Sequence, residues 1–241
     1  MNNVYDAPKN GASARILALE SSGQHASAAI VADSVVIGEI TLNARHGDKA
    51  FTHSEILMPG VEKLFELTGQ KQEELTHIAY SCGPGSFTGI RIGASTALGI
   101  AKALDIQAIA VPTLDALAYN AFGMGYKGDI CPVMDARRGQ VYFALFDSGF
   151  NNVIDYEALS ADLVMSRLRG DTLIIGDGAA AVFNVFSIGT SKIRLDFASS
   201  HHNFVRASSA GLWACKNFKG ENGKMIYVRP PQAVREATNG T

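Results

Sequence analysis

"CGPGSFTGIRIG", residues 82–93, follows the apolar run "THIAYS" and leads into the alanine-rich "ASTALGIAKAL". A strand, a glycine loop and a helix in that order read as part of a parallel crossover, so this stretch places the chain among mixed α/β folds. Its glycines serve either to cradle a phosphate or to shape the chain. A P-loop requires G-x-x-x-x-G-K-[ST], and no lysine follows a glycine here at that offset. The dinucleotide fingerprint G-x-G-x-x-G fails as well, because Thr88 stands at its last position and Gly89 comes one step late. The junction still offers N–H groups at a helix start. Gly83, Gly85 and Ser86, with Glu20, Ser21 and Ser22 from the "ESSGQ" turn, therefore form a candidate anion or nucleotide loop. The architectural alternative gives Gly83 and Gly85 to the chain turn, and Gly89 and Gly93 to close helix packing.

Outward from this stretch, "RILALE" (15–20), "ASAAIVA" (26–32) and "VVIGEITLN" (35–43) read as three strands with tight connections. A helix over 52–68 stops at Gly69. "THIAYS" is a fourth strand, Thr88–Leu104 a second helix and "QAIAV" (107–111) a fifth strand. That order predicts a mixed sheet, a meander followed by parallel strands. In the second half, "DICPVMDA" and "GQVYFALFD" read as a hairpin closed around Arg137, Arg138 and Gly139. A helix near 160–168, the buried strand "TLIIGDG" and a helix near 203–218 follow. Two β-rich halves of similar order suggest a duplicated, two-lobed fold.

The composition excludes several function classes. An apolar fraction of 47% with 18% charged residues is that of a globular chain. The net charge of −2 gives no general attraction to nucleic acid or anionic membrane. Cys82, Cys131 and Cys215 are few, odd in number and far apart, which argues for a reducing compartment, and no uncharged apolar run reaches membrane-spanning length. The first 14 residues lack the apolar core of a signal peptide and read as a mobile extension. The chain is expected to be cytoplasmic.

On the helix over 88–104, Arg91, Ser95 and Lys102 share a narrow arc and nearly every other direction is apolar, which predicts burial nearly all round. On the helix over 52–68, Ile56, Leu57, Met58, Val61, Leu64, Phe65 and Leu67 cover an arc of roughly 200°, wider than one core requires. Either that helix is sandwiched in its own domain or one flank meets another protein. The residues expected at such an interface are Ile56, Met58, Val61, Phe65, Ile90, Gly93, Ala97 and Ile100. Other constellations are weaker. Ser21, Ser22 and His25 lie too close in sequence for a triad. Asp135 with Arg137 and Arg138 sits at a hairpin tip, His53 reads as a satisfied histidine, and the adjacent His201 and His202 are expected to point apart. No residue is assigned as catalytic or metal-ligating.

Six segments together resemble the bacterial TsaB (YeaZ) family: "ILALESS" (16–22), "THSEILMP" (52–59), "CGPGSFTGIRIG" (82–93), "AVPTLDALA" (110–118), "MDARRGQVYFALF" (134–146) and "YVRPP" (227–231). They run in order over nearly the whole chain after residue 14. Glu20 departs from the aspartate that many members carry, and the N-terminal extension is long for the family.

The resemblance implies an actin-like, sugar-kinase-like (ASKHA) α/β fold of two ribonuclease-H-like lobes with mixed sheets. The first lobe would span 15–111, completed by the helix near 203–218; the second would span 112–202, with 219–241 as a C-terminal tail. It also implies a scaffold rather than an enzyme. The scaffold would dimerise with a TsaD-type paralogue, alongside a TsaE-type ATPase, for threonylcarbamoylation of N6 of adenosine 37 in ANN-decoding tRNAs. Transfer chemistry would belong to the paralogue, whose metal-bearing His-x-x-x-His segment corresponds to "VPTLDAL" here, with Thr113 and Leu117 at the histidine positions. Leucine cannot ligate a metal and a lone threonine is a poor substitute. ATP and metal would accordingly reside in the partner subunits, tRNA would be met only through the complex, and the chain alone would pair with itself. The alternative is a metal-independent hydrolase or nucleotide-binding enzyme of the same fold.

Overall fold

A computed structural model describes residues 14–46, 49–188, 193–217 and 225–228. The predicted N-terminal extension and most of the predicted tail over 219–241 lie outside them. The first sheet has the order β3-β2-β1-β6-β7. It is built from β1 (Arg15–Glu20), β2 (His25–Ala32), β3 (Val35–Asn43), β6 (His77–Ser81) and β7 (Gln107–Val111). The minute strands β4 (Arg45–His46) and β5 (Lys49–Ala50) pair only with each other. β1 and β2 run antiparallel with Ala18 opposite Ala29; β6 joins β1 in parallel with Ala79 beside Ala18, and β7 continues in parallel.

Alternation along these strands separates two cores. Leu17, Leu19, Ile30, Ile78 and Tyr80 project to one face, under α1 (His53–Thr68) and α2 (Phe87–Leu104). Ile16, Ala18, Ala29, Ala79 and Ile109 project to the other, under α6 (Ala207–Asn217). Small residues let α6 lie close: a Cβ on Gly211 would come within 2.6 Å of Val31 and 3.3 Å of Ala18. Helix α1 starts where Glu55 accepts the Thr52 N–H at 2.6 Å and ends at Gly69 in the left-handed region, φ +64°. Pro59 sits on its exposed side, where water can satisfy the Glu55 carbonyl left without an amide partner.

The second sheet repeats the plan as β10-β9-β8-β11-β12. Its strands are β8 (Asp129–Asp135), β9 (Gln140–Phe146), β10 (Asn152–Ser160), β11 (Thr172–Ile175) and β12 (Leu195–Phe197). The β8–β9 hairpin turns through Arg137, Arg138 and Gly139, all at positive φ. Helices α4 (Ala161–Arg167) and α5 (Ala179–Ile188) flank the outer face, whereas α3 (Thr113–Phe122) packs with Ile130, Ala144, Phe146 and Ile175 on the inner face. Helices α3 and α6 touch, so the inner faces of both lobes share one core. The structure adds β10, β12, α3 and α5 to the elements read from sequence. It also starts the last helix at Ala207 rather than near 203. Among the described residues, no helix is long and apolar enough to cross a membrane.

Candidate functional site

The β6–α2 loop and the turn after β1 grip each other. Ser86 donates its N–H to the Ser22 carbonyl at 2.7 Å, and the Ser21 hydroxyl donates to the Gly89 carbonyl at 2.8 Å. A Cβ on Gly85 would lie 2.6 Å from the Ser22 carbonyl oxygen, and one on Gly89 only 2.0 Å from that of Ser21. On the loop's other side, Ile226 donates to Cys82 at 2.7 Å, and a Cβ on Gly83 would meet the Ile226 carbonyl at 2.3 Å. Gly83 and Gly85 hold φ of +109° and +155°. Backbone thus fills the concavity in which a loop of this kind would hold a phosphate.

Glu20 ends β1 fully buried. It accepts the Ser22 N–H at 2.6 Å and the hydroxyls of Ser22 and Ser81. Burial pushes its carboxyl above the usual range, against the pull of those hydrogen bonds. Ser21 and Ser22 spend their hydroxyls on Gly89 and Glu20, and His25 stacks on Phe204 with ring centroids 4.4 Å apart, so the three form no nucleophile–base pair. Burial likewise pushes the Cys82 thiol up to about 12, which removes it as a nucleophile at neutral pH.

Between the lobes lies a cavity of about 90 Å³, with Glu20, Gly23 and His25 on one side and Leu117, Met134 and Asp177 on the other. It is smaller than the ~300–1,000 Å³ of ordinary ligand pockets. Thr113 and Leu117 are both buried, and the Thr113 hydroxyl accepts the Gly83 N–H at 3.1 Å. Among the described residues, no three His, Cys, Asp or Glu side chains group to hold a metal. His201 and His202 do not point apart as expected. They occupy a single 3₁₀ turn, which brings their rings to 3.9 Å.

The outward side of α1 and α2 is open. Met58 and Leu67 on α1, and Phe87 and Leu98 on α2, are exposed, Leu67 at 68% and Leu98 at 50%. A groove of about 490 Å³ runs along α2 between Phe87, Arg91, Ser95 and Thr96. The Arg91 guanidinium lies 3.8 Å over the Phe87 ring, and Tyr227 packs against that ring at 5.9 Å. The expected burial of α2 nearly all round is thereby corrected. Its inner side packs on the sheet through Ile90, Gly93, Ala94, Ala97 and Ala101, and its outer side faces solvent.

Five of the expected partner contacts are corrected by the same geometry. Val61 and Phe65 are buried with Leu64 under their own sheet, and Ile90, Gly93 and Ala97 sit on the inner side of α2. Met58 is exposed, and Ile56 and Ile100 are half-buried. Leu67, Phe87 and Leu98 lie exposed on the outer face, although apolar residues on an apolar helix read as core from the sequence.

The family model described as "TsaD: tRNA N6-adenosine threonylcarbamoyltransferase" matches residues 47–170. A tRNA threonylcarbamoyladenosine biosynthesis protein TsaB from Escherichia coli is 30% identical over 171 residues, which cover 68% of this chain and 71% of that relative. The chain belongs to the TsaB (YeaZ) family. TsaB from Bacillus subtilis is 37% identical over 54% of each chain. A Pseudomonas aeruginosa protein with similarity to peptidase YEAZ superposes with a TM-score of 0.71 at 22% identity, over 90% of this chain and 100% of that one. Component A of an Acidaminococcus fermentans (R)-2-hydroxyglutaryl-CoA dehydratase reaches a TM-score of 0.50 at 11% identity, covering 85% and 98%. These likenesses agree with the two-lobed ASKHA architecture of this TsaB-family chain.

Proposed function

We propose that this chain is a non-catalytic scaffold of cytoplasmic tRNA threonylcarbamoyladenosine biosynthesis. Through the outward side of α1 and α2 it would dock a TsaD-type paralogue that performs the transfer, in an assembly with a TsaE-type ATPase. The observation that carries the reading is the exposed apolar side of those two helices, with Met58, Leu67, Phe87 and Leu98 in the open. Apolar surface of this kind, rimmed by charge, marks association. The buried Thr113 and Leu117 and the filled glycine cradle support assigning metal, ATP and chemistry to the partner subunits. In the same reading tRNA is met only within the complex.

The test is reconstitution of threonylcarbamoyl transfer to tRNA from the purified subunits. Activity should vanish when this chain is omitted, and Leu98→Asp should abolish assembly with the paralogue while leaving the melting temperature within a few degrees. Full activity without the chain, or turnover by the chain alone, would overturn the proposal.

A further inference from the structure

The β8–β9 hairpin turns through three consecutive residues in the left-handed region, Arg137 at φ +63°, Arg138 at +56° and Gly139 at +72°. Such positions of a tight hairpin ordinarily go to Asn-Gly or Asp-Gly, because the Cβ of a larger residue crowds the carbonyl that follows. Neither arginine makes a contact within the chain that offsets this. Arg137 reaches Asp135 at 3.3 Å with its side chain 81% exposed, and a pair so exposed contributes little. Arg138 is exposed and, among the described residues, enters no ion pair. The turn is braced from beneath by carboxylates bonded to its backbone. Asp177 accepts the Asp135 N–H at 2.9 Å, and Asp135 accepts the Arg137 N–H at 2.7 Å. The start of α5 backs the hairpin as well: a Cβ on Gly178 would lie 3.2 Å from the Met134 backbone. Two cations are thus held in a costly conformation by their neighbours and serve nothing inside the chain, a combination that marks a binding loop.

We infer that this tip binds backbone phosphates of tRNA, one at each guanidinium, when the chain stands in its assembly; the inference rests on the reading of the chain as a subunit of tRNA threonylcarbamoyladenosine biosynthesis. A planar guanidinium presents paired N–H donors that match two phosphate oxygens. Arg137, Arg138 and Gly139 are exposed and the tip has no apolar side chain, whereas a protein partner would need a dry apolar centre to anchor on. The net charge of −2 gives RNA no general hold on the chain, so the tip is a local contact and not part of a basic face. Contacts of this kind position the RNA and carry no sequence information. The tip belongs to the second lobe and the docking face to the first, so neither contact uses the residues of the other.

The test is filter binding of a tRNA transcript to the assembly reconstituted from purified subunits, over a range of salt concentrations, with a thermal melt of each variant chain. Arg137→Asn combined with Arg138→Gly gives the turn its preferred residues, so it should raise the melting temperature by about 2–4 °C. In the assembly the same double variant should raise the tRNA dissociation constant roughly tenfold or more and lower the salt slope by about two, one for each lost phosphate contact. A turn with a structural role alone would move only the melting temperature. Arg138→Ala, at the arginine without an ion pair, should lower the slope by about one. Arg137→Lys combined with Arg138→Lys keeps both charges and should restore most of the slope but only part of the affinity. Unchanged tRNA affinity and salt slope in the first double variant and in Arg138→Ala overturn the inference. A loss confined to binding of ATP or of the ATPase subunit, with tRNA binding intact, overturns it too. If tRNA is bound and modified equally well without this chain, the reading on which the inference rests falls instead.

Discussion

Ser21 and Gly89, 68 residues apart in sequence, are joined by a 2.8 Å hydrogen bond, and Gly89 has no room for a methyl group. The Cβ of an alanine would sit 2.0 Å from the Ser21 carbonyl oxygen, which is backbone and cannot swing away. Gly89→Ala should therefore destabilise the fold by about 2–4 kcal/mol in chemical denaturation, through overpacking and loss of the lock. Gly60→Ala, in a helix with its nearest neighbour at 3.8 Å, should be neutral or stabilising by about 0.5–1 kcal/mol.

Phe65 is 9% exposed and packs with the buried Leu64 and Val61. Phe65→Asp would bury a carboxylate without a partner and should lower stability by about 3 kcal/mol or more, read as a fall in melting temperature. It therefore probes the core rather than the docking face. Leu98→Asp, on the solvent side of α2, should leave the melting temperature of the monomer within a few degrees.

Asp115, on α3, is buried and accepts the Tyr156 hydroxyl at 2.6 Å and a hydrogen bond from Trp213. Burial is the leading cause that raises its carboxyl from 3.8 to about 6. The folded state then holds the proton more tightly than the unfolded state. The stability this group contributes is complete below about pH 4, falls as pH rises to about 6 and is flat above, a loss of about 3 kcal/mol in all. Denaturation of the wild type and Asp115→Asn from pH 4 to 7 should show the wild-type advantage shrinking over that window. A constant difference across it would refute the assignment.

The small interlobe cavity and the filled cradle predict that ATP with magnesium gives no binding tighter than about millimolar in calorimetry on the isolated chain. Elemental analysis should find no stoichiometric zinc or iron. A micromolar ATP dissociation constant, or one tightly held ion per chain, would refute the expectation.

The first lobe was legible because most of its strands are short, nearly continuous apolar runs, and Gly69 and the "GPG" loop punctuate the chain. Strand β10 was not, because register shifts between Asn152 and Glu157 break its period of two. Helix α5 is short and apolar but for Asn184 and Ser187, so pattern alone does not separate it from strand or loop. The interface reading erred at Val61, Phe65, Ile90, Gly93 and Ala97 for a physical reason. Helical periodicity gives the width of an apolar arc, but only the neighbouring sheet decides which part of it is inside. Gly83, Gly85 and Gly89 were legible as turn and packing residues, whereas their partner, the Ser21–Ser22 backbone, required the fold.

Helix α6 covers the inner face of a sheet whose last strand ends at Val111, yet it begins only at Ala207. On the ribosome, residues 112–206 must be made in between, which takes on the order of 5–20 s at ordinary rates. Throughout that interval Ile16, Ala18, Ala79 and Ile109 have no cover of their own, and a nascent chain in this state is a natural client for a holding chaperone. The amino-terminal lobe is thus finished last although it is synthesised first, and a premature stop before α6 leaves that lobe open rather than merely shortening its neighbour.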